Sequence, residues 1–436
     1  MPIKGAPDGW NTRKMNASII HLGCPKNQTL SERLAGMMVS AGVSLSVPED
    51  ADIVIVNTCG FINPARQESI DRILESAQLK RSGKLQKLIV TGCMGAEFGS
   101  ELKAEIPEID EVFPLDRVKD IVPYLDLKND PYSVRRCLTT LSHAYLNVAE
   151  GCDHQCSFCL IPRLTGPFRS RGLTEILDEA KNLEQAGVSE LILVAQDTTA
   201  YGKDLGKGRT LLHLLESLLH SCSFRWIRIM YAYPETLDIN VVKLMAREPR
   251  LVPYLDIPLQ HADTSILRRM NRGGSAVHFL KMLERIRTIL PDIVLRTTFI
   301  VGFPGESDRE FETLRLFLEQ ARFHHAGFFA YDDDAALSSS QLENKVKRSV
   351  ARRRIRDLAA IQSEISRAYN QDLVDKTLDV LVDEVTTKKV VARHKGQAPD
   401  IDGEVTLPAG GELVPGDFVS VKIMSAGPYH LRARPV

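Results

Sequence analysis

The sequence lacks several features that would place it in other classes of protein. Its 436 residues contain no apolar run of membrane-spanning length, and the first 14 have no apolar core of the kind that a secretion signal needs. Eight cysteines are too few for a disulfide-stabilised scaffold of this length. A formal net charge of −1 gives no reason to expect a nucleic-acid partner. We therefore predict a cytoplasmic protein without membrane association, with residues 1–14 as a flexible leader.

The composition is typical of a globular protein with more than one domain. Hydrophobic residues make up 44% of the chain and charged residues 25%. A chain of this length is expected to form two or three domains, each with its own core.

Three of the cysteines lie close together in the segment from Glu150 to Pro162. Cys152, Cys156 and Cys159 have the spacing C-x3-C-x2-C. Three thiolates at this spacing can hold three irons of a cubane cluster, which leaves the fourth iron open to a small molecule. A structural zinc site usually has two close pairs of ligands, and no second pair follows here. Zinc remains the alternative, with His154 as a fourth ligand.

The amino-terminal part of the sequence alternates short apolar runs with amphipathic segments. We predict strands and helices in the order β, α, β, α, β, over residues 17–22, 30–41, 52–57, 64–80 and 88–91. This alternation predicts a doubly wound parallel sheet, in which ligands collect beyond the carboxyl ends of the strands.

The remaining cysteines fall in two groups. Cys24, Cys59 and Cys93 each follow one of the three predicted strands, so their thiols are expected to converge at one edge of the sheet. This placement favours a second metal site over three unrelated core residues. Cys137 and Cys222 have no such placement, and we interpret them as structural.

The middle of the chain, from Ala144 to about Ala330, again alternates strands with helices. Six β/α units predict a partly open barrel of parallel strands, with its chemistry at the carboxyl-terminal rim. Distinctive loops follow four of the strands, at residues 196–202, 231–235, 258–261 and 302–306. Taken singly, each loop is also explained by turn formation and helix capping.

The end of the chain has a different sequence pattern, with one long helix followed by short β-type runs. A helix is predicted from Arg348 to Tyr369, with one face carrying Arg352, Arg353, Arg354 and Arg356. That face is either simply solvated or contacts phosphates of RNA. Short β-type runs broken by glycine and proline follow from Asp375, and they predict a small antiparallel β-barrel.

These motifs together resemble the radical S-adenosylmethionine (SAM) methylthiotransferases. Residues 144–162 resemble the opening strand and cluster loop of radical SAM enzymes, the contexts of Cys24, Cys59 and Cys93 resemble the amino-terminal methylthiotransferase domain, and the end of the chain resembles a TRAM domain. The resemblance implies a methylthiotransferase amino-terminal domain over 15–127, a radical SAM domain over 138–369 and a TRAM domain over 370–436. It also implies two [4Fe-4S] clusters as cofactors.

The resemblance assigns a role to each triplet of cysteines. Cys152, Cys156 and Cys159 would hold the cluster at which SAM is split into methionine and a 5′-deoxyadenosyl radical. The amino-terminal triplet would hold the cluster that carries the sulfur to be inserted. The residues that the resemblance places against SAM are Phe158, Gln196, Gln260, Gly302, Phe303 and Pro304.

Two branches of this family differ in substrate. One modifies an adenosine beside the anticodon of transfer RNA, and the other modifies the β-carbon of an aspartate in the decoding-centre protein of the small ribosomal subunit. Residues 371–436 contain ten acidic and eight basic residues, and their aromatic residues are Phe418 and Tyr429. A domain that binds RNA is expected to be more basic and to offer more aromatic side chains for stacking. This composition suits a basic protein better. The amino-acid sequence also resembles the ribosomal-protein branch at residues 23–27, 57–62, 196–202 and 397–403.

We therefore predict that the substrate is the small-subunit ribosomal protein, either free or in the assembled subunit. An electron donor such as flavodoxin or ferredoxin is implied as a second partner. Transfer RNA remains the alternative substrate. An iron–sulfur protein without turnover is a further alternative, which would need the cysteine triplets but not the loops around SAM.

Overall fold

The computed structural model describes residues 15–60, 62–126, 136 and 138–436. The expected leader over residues 1–14 and Cys137 lie outside the described residues. The chain divides into two compact units, residues 1–137 and 138–436. In the part of the chain that is described, no helix has the length and apolar character needed to cross a bilayer.

The amino-terminal unit is a five-stranded parallel sheet in the order β2-β1-β3-β4-β5. Its strands are β1 (Asn16–His21), β2 (Ser44–Leu45), β3 (Ile53–Thr58), β4 (Lys87–Gly92) and β5 (Glu111–Phe113). Its helices are α1 (Pro25–Ser40), α2 (Asn63–Arg81), α3 (Cys93–Glu105) and α4 (Ile121–Tyr124), with 3₁₀ turns at Pro48–Asp50 and Leu115–Asp120.

The predicted doubly wound sheet is confirmed. β3 is buried along its whole length, as a strand covered on both faces must be. One apolar cluster contains Ile53 and Ile55, and another contains Val54 and Val56, so the two faces of the sheet have separate cores. The strand order changes direction between β1 and β3, which is where ligands gather in folds of this kind.

Helix α1 begins five residues earlier than the sequence predicts. Pro25 lies in its first turn, directly after Cys24 at the N-cap. Proline suits that position because its φ is already helical and no amide hydrogen is needed there. The prediction was wrong because Asn27 and Thr29 are polar but buried, so the first turn lacks an apolar pattern.

The carboxyl-terminal unit contains a six-stranded parallel sheet in the order β13-β12-β11-β10-β9-β6. Its strands are β6 (His143–Asn147), β9 (Glu190–Val194), β10 (Trp226–Ile229), β11 (Leu251–Asp256), β12 (Val294–Val301) and β13 (His325–Ala330). A short hairpin adds β7 (Ala149–Glu150) and β8 (Arg169–Ser170). The helices between these strands are α5 (Ile161–Thr165), α6 (Leu173–Gln185), α7 (Leu211–Ser221), α8 (Ile239–Arg247), α9 (Thr264–Arg269), α10 (Ala276–Ile289) and α11 (Asp308–Ala321), with 3₁₀ turns at Thr198–Ala200 and Ser338–Gln341.

All six predicted strands of the middle segment are present, and β6 and β13 are the two outer strands of an open sheet. The main core lies between the sheet and its helices. It includes Cys222, which is 4% exposed and whose pKa burial raises to about 11. That environment fits the structural role expected for this cysteine.

The end of the chain forms α12 (Arg348–Gln371) and a closed barrel in the order β14-β15-β16-β18-β17. The strands are β14 (Thr377–Val385), β15 (Lys389–His394), β16 (Val405–Pro408), β17 (Phe418–Ala426) and β18 (Leu431–Pro435). The barrel is not wholly antiparallel, because β16 and β18 run parallel. With five strands, alternating directions cannot continue all the way round a closed ring, so one pair must be parallel.

The predicted arginine face of α12 needs one correction. Arg352, Arg353 and Arg356 are exposed, but Arg354 is 3% exposed and pairs with Glu306. A solvated face therefore does not include Arg354. Its guanidinium is buried because a carboxylate with a matching position neutralises it.

Buried ion pairs join the closed barrel to the six-stranded sheet. Arg393 in β15 donates to Glu190 at the start of β9, and Arg228 in β10 donates to the other oxygen of the same carboxylate, at 2.8 and 2.7 Å. Asp402 accepts from Arg296 and from the hydroxyl of Tyr254. The loop between β15 and β16 is thus fixed against the inner face of the sheet.

Candidate metal centres and cofactor site

The amino-terminal cysteines lie at the carboxyl ends of three adjacent strands. Cys24 follows β1, Cys59 follows β3, and Cys93 follows β4 as the first residue of α3. The neighbouring Cys24 and Cys59 both raise the pKa of Cys93. The structure places the three cysteines of this predicted triplet at one edge of the sheet.

Two glycines allow the loops that carry these cysteines to approach closely. A Cβ atom on Gly23, whose φ is +92°, would lie 2.8 Å from Cβ of Cys59. A Cβ atom on Gly60 would lie 3.0 Å from the backbone nitrogen of Met94. Any larger residue would push the loops apart, so the spacing of the three thiols depends on both glycines.

Buried side chains tie the same loops to one another. Asn27 donates to the carbonyls of Leu22 and Thr58, both at 2.9 Å, and Asn57 donates to the carbonyl of Asn27 at 2.8 Å. The hydroxyl of Thr58 donates to the carbonyl of Thr91 at 2.6 Å. These bonds link the ends of β1, β3 and β4, so the thiols are held in place by the fold itself.

Burial and the neighbouring thiols disfavour a thiolate at the amino-terminal site unless a cation binds there. Burial raises the pKa of Cys93 to about 12, and the neighbouring Cys24 and Cys59 raise it further. The thiol therefore stays protonated until a positive charge arrives to stabilise its thiolate. A cluster with one iron for each of three sulfurs supplies that charge, so these residues fit it.

The second triplet lies in the loop after β7. The amide of Cys152 donates to the carbonyl of Gly166 at 3.2 Å, and the amide of Cys159 donates to the carbonyl of Cys156 at 3.1 Å. Burial raises the pKa of Cys159 to about 12, with Cys156 and Cys152 adding to the effect. All seven described cysteines are free thiols, so both triplets are available to iron.

No three His, Cys, Asp or Glu side chains among residues 15–60, 62–126, 136 and 138–436 are arranged around one metal ion. A cubane cluster does not require such an arrangement, because each cysteine binds a different iron.

The Nε2 atom of His154 is engaged in a hydrogen bond and is not placed to bind zinc. That atom lies 2.8 Å from Oδ2 of the buried Asp197. The imidazole also stacks on Tyr233, with ring centroids 3.7 Å apart and an interplanar angle of 5°. His154 therefore fixes the cluster loop against the loops that follow β9 and β10.

The opposite face of Tyr233 is covered by Arg272, whose Cζ lies 4.0 Å from the ring centroid. One guanidinium nitrogen of Arg272 donates to the carbonyl of Pro258 at 2.9 Å. The other lies 3.9 Å from Sγ of Cys156. A cation is thus held beside one of the expected iron ligands.

Further contacts fix the cluster loop on the segment after α9. The amide of Ser157 donates to the carbonyl of Met270 at 3.0 Å, and Asn271 donates to the carbonyl of Gln155 at 2.8 Å. Because the loop is bonded at several points, its cysteines are positioned before any cluster is present.

The expected SAM residues lie at the carboxyl ends of the sheet strands and in the cluster loop. Phe158 packs in one apolar cluster with the fully buried Phe303. Gln260 has a φ of +71°, and its backbone bonds to Thr298 and Ile300 of β12, both at 2.8 Å. Gln196 follows β9, where its neighbour Asp197 makes the buried polar contacts.

The turn of Gly302, Phe303 and Pro304 is held by Glu306. The amide of Gly302, whose φ is +77°, donates to Oε2 of Glu306 at 2.9 Å, and Arg354 donates to Oε1 at 2.6 Å. His261 Nε2 lies 3.5 Å from the same carboxylate. Helix α12 thereby determines the conformation of the turn.

The sequence analysis missed several residues of this site. Asp197, Tyr233 and Glu306 lie in loops that it singled out, but their roles became visible only from their contacts. Arg272 gave a weaker signal, because it lies in a turn of arginines and glycines with no distinctive pattern.

Comparison with family descriptions divides the chain in the same order. The radical SAM superfamily matches residues 146–318, the uncharacterized protein family UPF0004 matches residues 16–114, and the TRAM domain matches residues 374–436. Between them these matches cover most of the described chain.

Several curated relatives match almost the whole chain. Ribosomal protein uS12 methylthiotransferase RimO of Desulforudis audaxviator (strain MP104C) is 40% identical over 98% of this chain and 98% of the relative. The protein of the same name from Myxococcus xanthus (strain DK1622) is 41% identical over 95% of this chain and 90% of the relative. That from Aquifex aeolicus (strain VF5) is 41% identical over 96% and 97%.

Solved structures share the fold at low sequence identity. The radical SAM methyltransferase TsrM from Kitasatospora setae, with cobalamin and a [4Fe-4S] cluster bound, is 12% identical, with a TM-score of 0.52 over 73% of this chain and 75% of that chain. The cobalamin-dependent radical SAM enzyme OxsB with aqua-cobalamin bound is 13% identical, with a TM-score of 0.51 over 74% and 54%. These likenesses confirm the predicted central fold.

Proposed function

Because the chain belongs to the RimO family of ribosomal protein uS12 methylthiotransferases, we propose that it is a radical SAM enzyme that methylthiolates uS12. The observation that carries the proposal is the near full-length relationship to RimO proteins. Two triplets of free cysteines support it, one at the ends of parallel strands and the other in the loop after β7. The reaction we propose replaces a hydrogen on the β-carbon of one aspartate with a methylthio group.

The two triplets have separate roles in this proposal. Cys152, Cys156 and Cys159 hold the [4Fe-4S] cluster that binds SAM, and Cys24, Cys59 and Cys93 hold a second [4Fe-4S] cluster. When bound, SAM and the clusters supply a 5′-deoxyadenosyl radical and the sulfur that is transferred. We assign residues 15–127 to the domain of the second cluster, residues 138–369 to the radical SAM domain and residues 370–436 to the TRAM domain.

The chain's own residues bind and orient SAM. We propose that Gln196 and Gln260 contact it with polar atoms, that the Gly302–Pro304 turn offers backbone to it, and that Phe158 and Phe303 exclude water from one side. The bonds from Glu306 and Arg354 support this assignment, because they keep the turn in one conformation before SAM arrives.

The proposed partner is uS12, free or in the assembled small subunit, with flavodoxin or ferredoxin as electron donor. The composition of residues 371–436 supports a basic protein over transfer RNA, because acidic residues exceed basic ones.

The test is anaerobic reconstitution followed by turnover with SAM, a reductant, and uS12 and transfer RNA offered together. We expect 5′-deoxyadenosine to form and uS12 alone to gain the mass of a methylthio group. Modification of transfer RNA instead would contradict the substrate. A protein that binds iron but forms no 5′-deoxyadenosine would contradict enzymatic function altogether.

Two cysteine variants separate the roles of the triplets. Cys156→Ala is expected to abolish 5′-deoxyadenosine, whereas Cys59→Ala is expected to retain it and lose the methylthio product. Cys222→Ala is the matched control, because this cysteine lies in the main core and outside both triplets. Full methylthio product from Cys59→Ala would overturn the assignment.

A further inference from the structure

We propose that Arg272 is a positioning residue that raises the reduction potential of the cluster held by Cys152, Cys156 and Cys159. Its guanidinium lies 3.9 Å from Sγ of Cys156 and is fixed there by two other contacts. The inference rests on the proposed function, because it assumes that this triplet binds a cluster. It goes beyond that function in assigning a task to a residue that binds neither iron nor the aspartate of uS12.

The geometry leaves Arg272 little freedom to move. Its second guanidinium nitrogen donates to the carbonyl of Pro258 at 2.9 Å, and its plane covers Tyr233 at 4.0 Å. Tyr233 is in turn stacked on His154, which is bonded to Asp197. The guanidinium is therefore the end of a rigid stack that begins at a buried carboxylate.

The chemistry of the contact favours the reduced cluster. Adding an electron makes the cluster and its thiolates more negative, and a cation at this distance stabilises the added charge. An N–H group pointing at a ligand sulfur acts in the same direction.

Two carboxylates lie in the neighbourhood of Arg272, and neither has a recorded contact with Cys156. Asp197 is bonded to His154, Thr199, Thr236 and the amide of Ala200, so its charge is dispersed over several donors. Glu235 lies beside the following residue, where a Cβ on Gly273 would be 2.8 Å from its Oε1. Among the described residues with a recorded contact to Cys156, Arg272 is the cation.

The experiment measures the reduction potential of the loaded full-length protein by redox titration followed by electron paramagnetic resonance. The signal that changes when SAM is added identifies the cluster held by Cys152, Cys156 and Cys159, at which SAM is proposed to bind. For Arg272→Gln we expect the ratio of reduced to oxidised cluster at a fixed poise to fall about tenfold, which is about 59 mV for a one-electron couple. Tyr233→Leu, which removes the face that holds Arg272, should lower the ratio in the same direction.

Matched variants separate this effect from general damage. Tyr233→Phe keeps the stacked ring and should leave the potential unchanged. Arg268→Gln removes an exposed arginine four residues earlier in the same segment and should also leave it unchanged. Arg272→Lys keeps the charge without the planar fork, and we expect it to restore part of the lost potential.

The outcomes distinguish this inference from the proposed function. If Arg272→Gln binds its full iron and titrates at the potential of the unaltered protein, Arg272 does not tune the cluster. A shift of equal size in Arg268→Gln would have the same meaning, because it would reflect net charge alone. If the unaltered protein binds no iron at Cys152, Cys156 and Cys159, the proposed function fails first.

Discussion

Replacing Arg393 with methionine is expected to weaken the carboxyl-terminal unit through a defined set of contacts. Its side chain is 2% exposed, and the Glu190 carboxylate that it meets is fully buried. The guanidinium donates to Glu190 at 2.8 Å, to the Gln397 carbonyl at 3.1 Å, and to both oxygens of Asp383 at 2.7 and 3.0 Å. Methionine fills a similar volume but replaces none of these bonds.

The expected cost follows from which partners remain. Breaking a buried ion pair by removing one partner costs roughly 3–5 kcal/mol, because the other charge is left uncompensated. Here Arg228 stays bonded to Glu190 at 2.7 Å, so the carboxylate keeps one cation. We therefore expect a loss of about 3 kcal/mol, at the lower end of that range.

The assay is urea unfolding of the iron-free protein, followed by the fluorescence of Trp226. This indole is 1% exposed and packs edge-on against Phe418 of the closed barrel, with ring centroids 4.9 Å apart. The chain has two tryptophans, so a Trp10→Phe background leaves Trp226 as the reporter. The signal then reports on the contact between the sheet and the closed barrel.

Two comparisons decide the outcome. Asp379→Asn breaks the half-exposed pair between Arg225 and Asp379, which joins the same two parts of the unit, and should cost less than about 1 kcal/mol. The double variant Glu190→Gln with Arg393→Met should cost less than the sum of the single changes by about 1–3 kcal/mol. Additive costs, or a loss for Arg393→Met no larger than for Asp379→Asn, would refute the reasoning.

Three further predictions follow from the site and its surroundings. Asn27→Leu removes the two bonds that this side chain donates to the carbonyls of Leu22 and Thr58, and leaves both buried acceptors without their donor. We expect iron to fall from about eight to about four per chain, with SAM cleavage retained, as measured by iron assay and by 5′-deoxyadenosine. Eight irons would contradict the role of this side chain. Arg354→Gln leaves Glu306 without its buried cation. Calorimetry should therefore show SAM binding weakened about tenfold, equivalent to ~1.4 kcal/mol. Unchanged affinity would mean that the Gly302–Pro304 turn keeps its conformation without Arg354. Burial lowers the pKa values of His324 and His394 to about 3 from the ordinary 6.5. The stability that their neutral forms provide is complete above pH 6.5 and is lost as the pH falls towards 3. In urea unfolding, about 1.4 kcal/mol per histidine should therefore be lost between pH 7.5 and 5.5, and a flat profile would contradict this expectation.

The order of elements could be predicted because each has a local cause. The first four residues of β3 are branched and apolar, and the six strands of the middle segment are short, largely apolar runs between helices. Strand β18 has no such local cause, because its sequence, Leu431–Pro435, alternates arginine with leucine, alanine and proline. It becomes a strand only through pairing with β16 and β17, which lie distant in the sequence.

The candidate site divides in the same way. The cysteines were accessible from the sequence, because spacing identifies one triplet and position after parallel strands identifies the other. Arg272 and Arg354 were not, because nothing local distinguishes a buried arginine from the exposed ones beside it. Arg354 was assigned to a solvated face for this reason, and its partner Glu306 lies 48 positions away in the chain.

The six-stranded sheet ends at β6 and β13 instead of closing on itself. A complete ring would admit a reactant only through its mouth, which suits a metabolite but not a residue projecting from a folded protein. Because the sheet is open between β6 and β13, a folded protein substrate can enter from the side. We expect that substrate to supply part of the shielding from water. We expect SAM cleavage without product formation to decrease when uS12 is supplied, because bound uS12 covers the open side of the sheet.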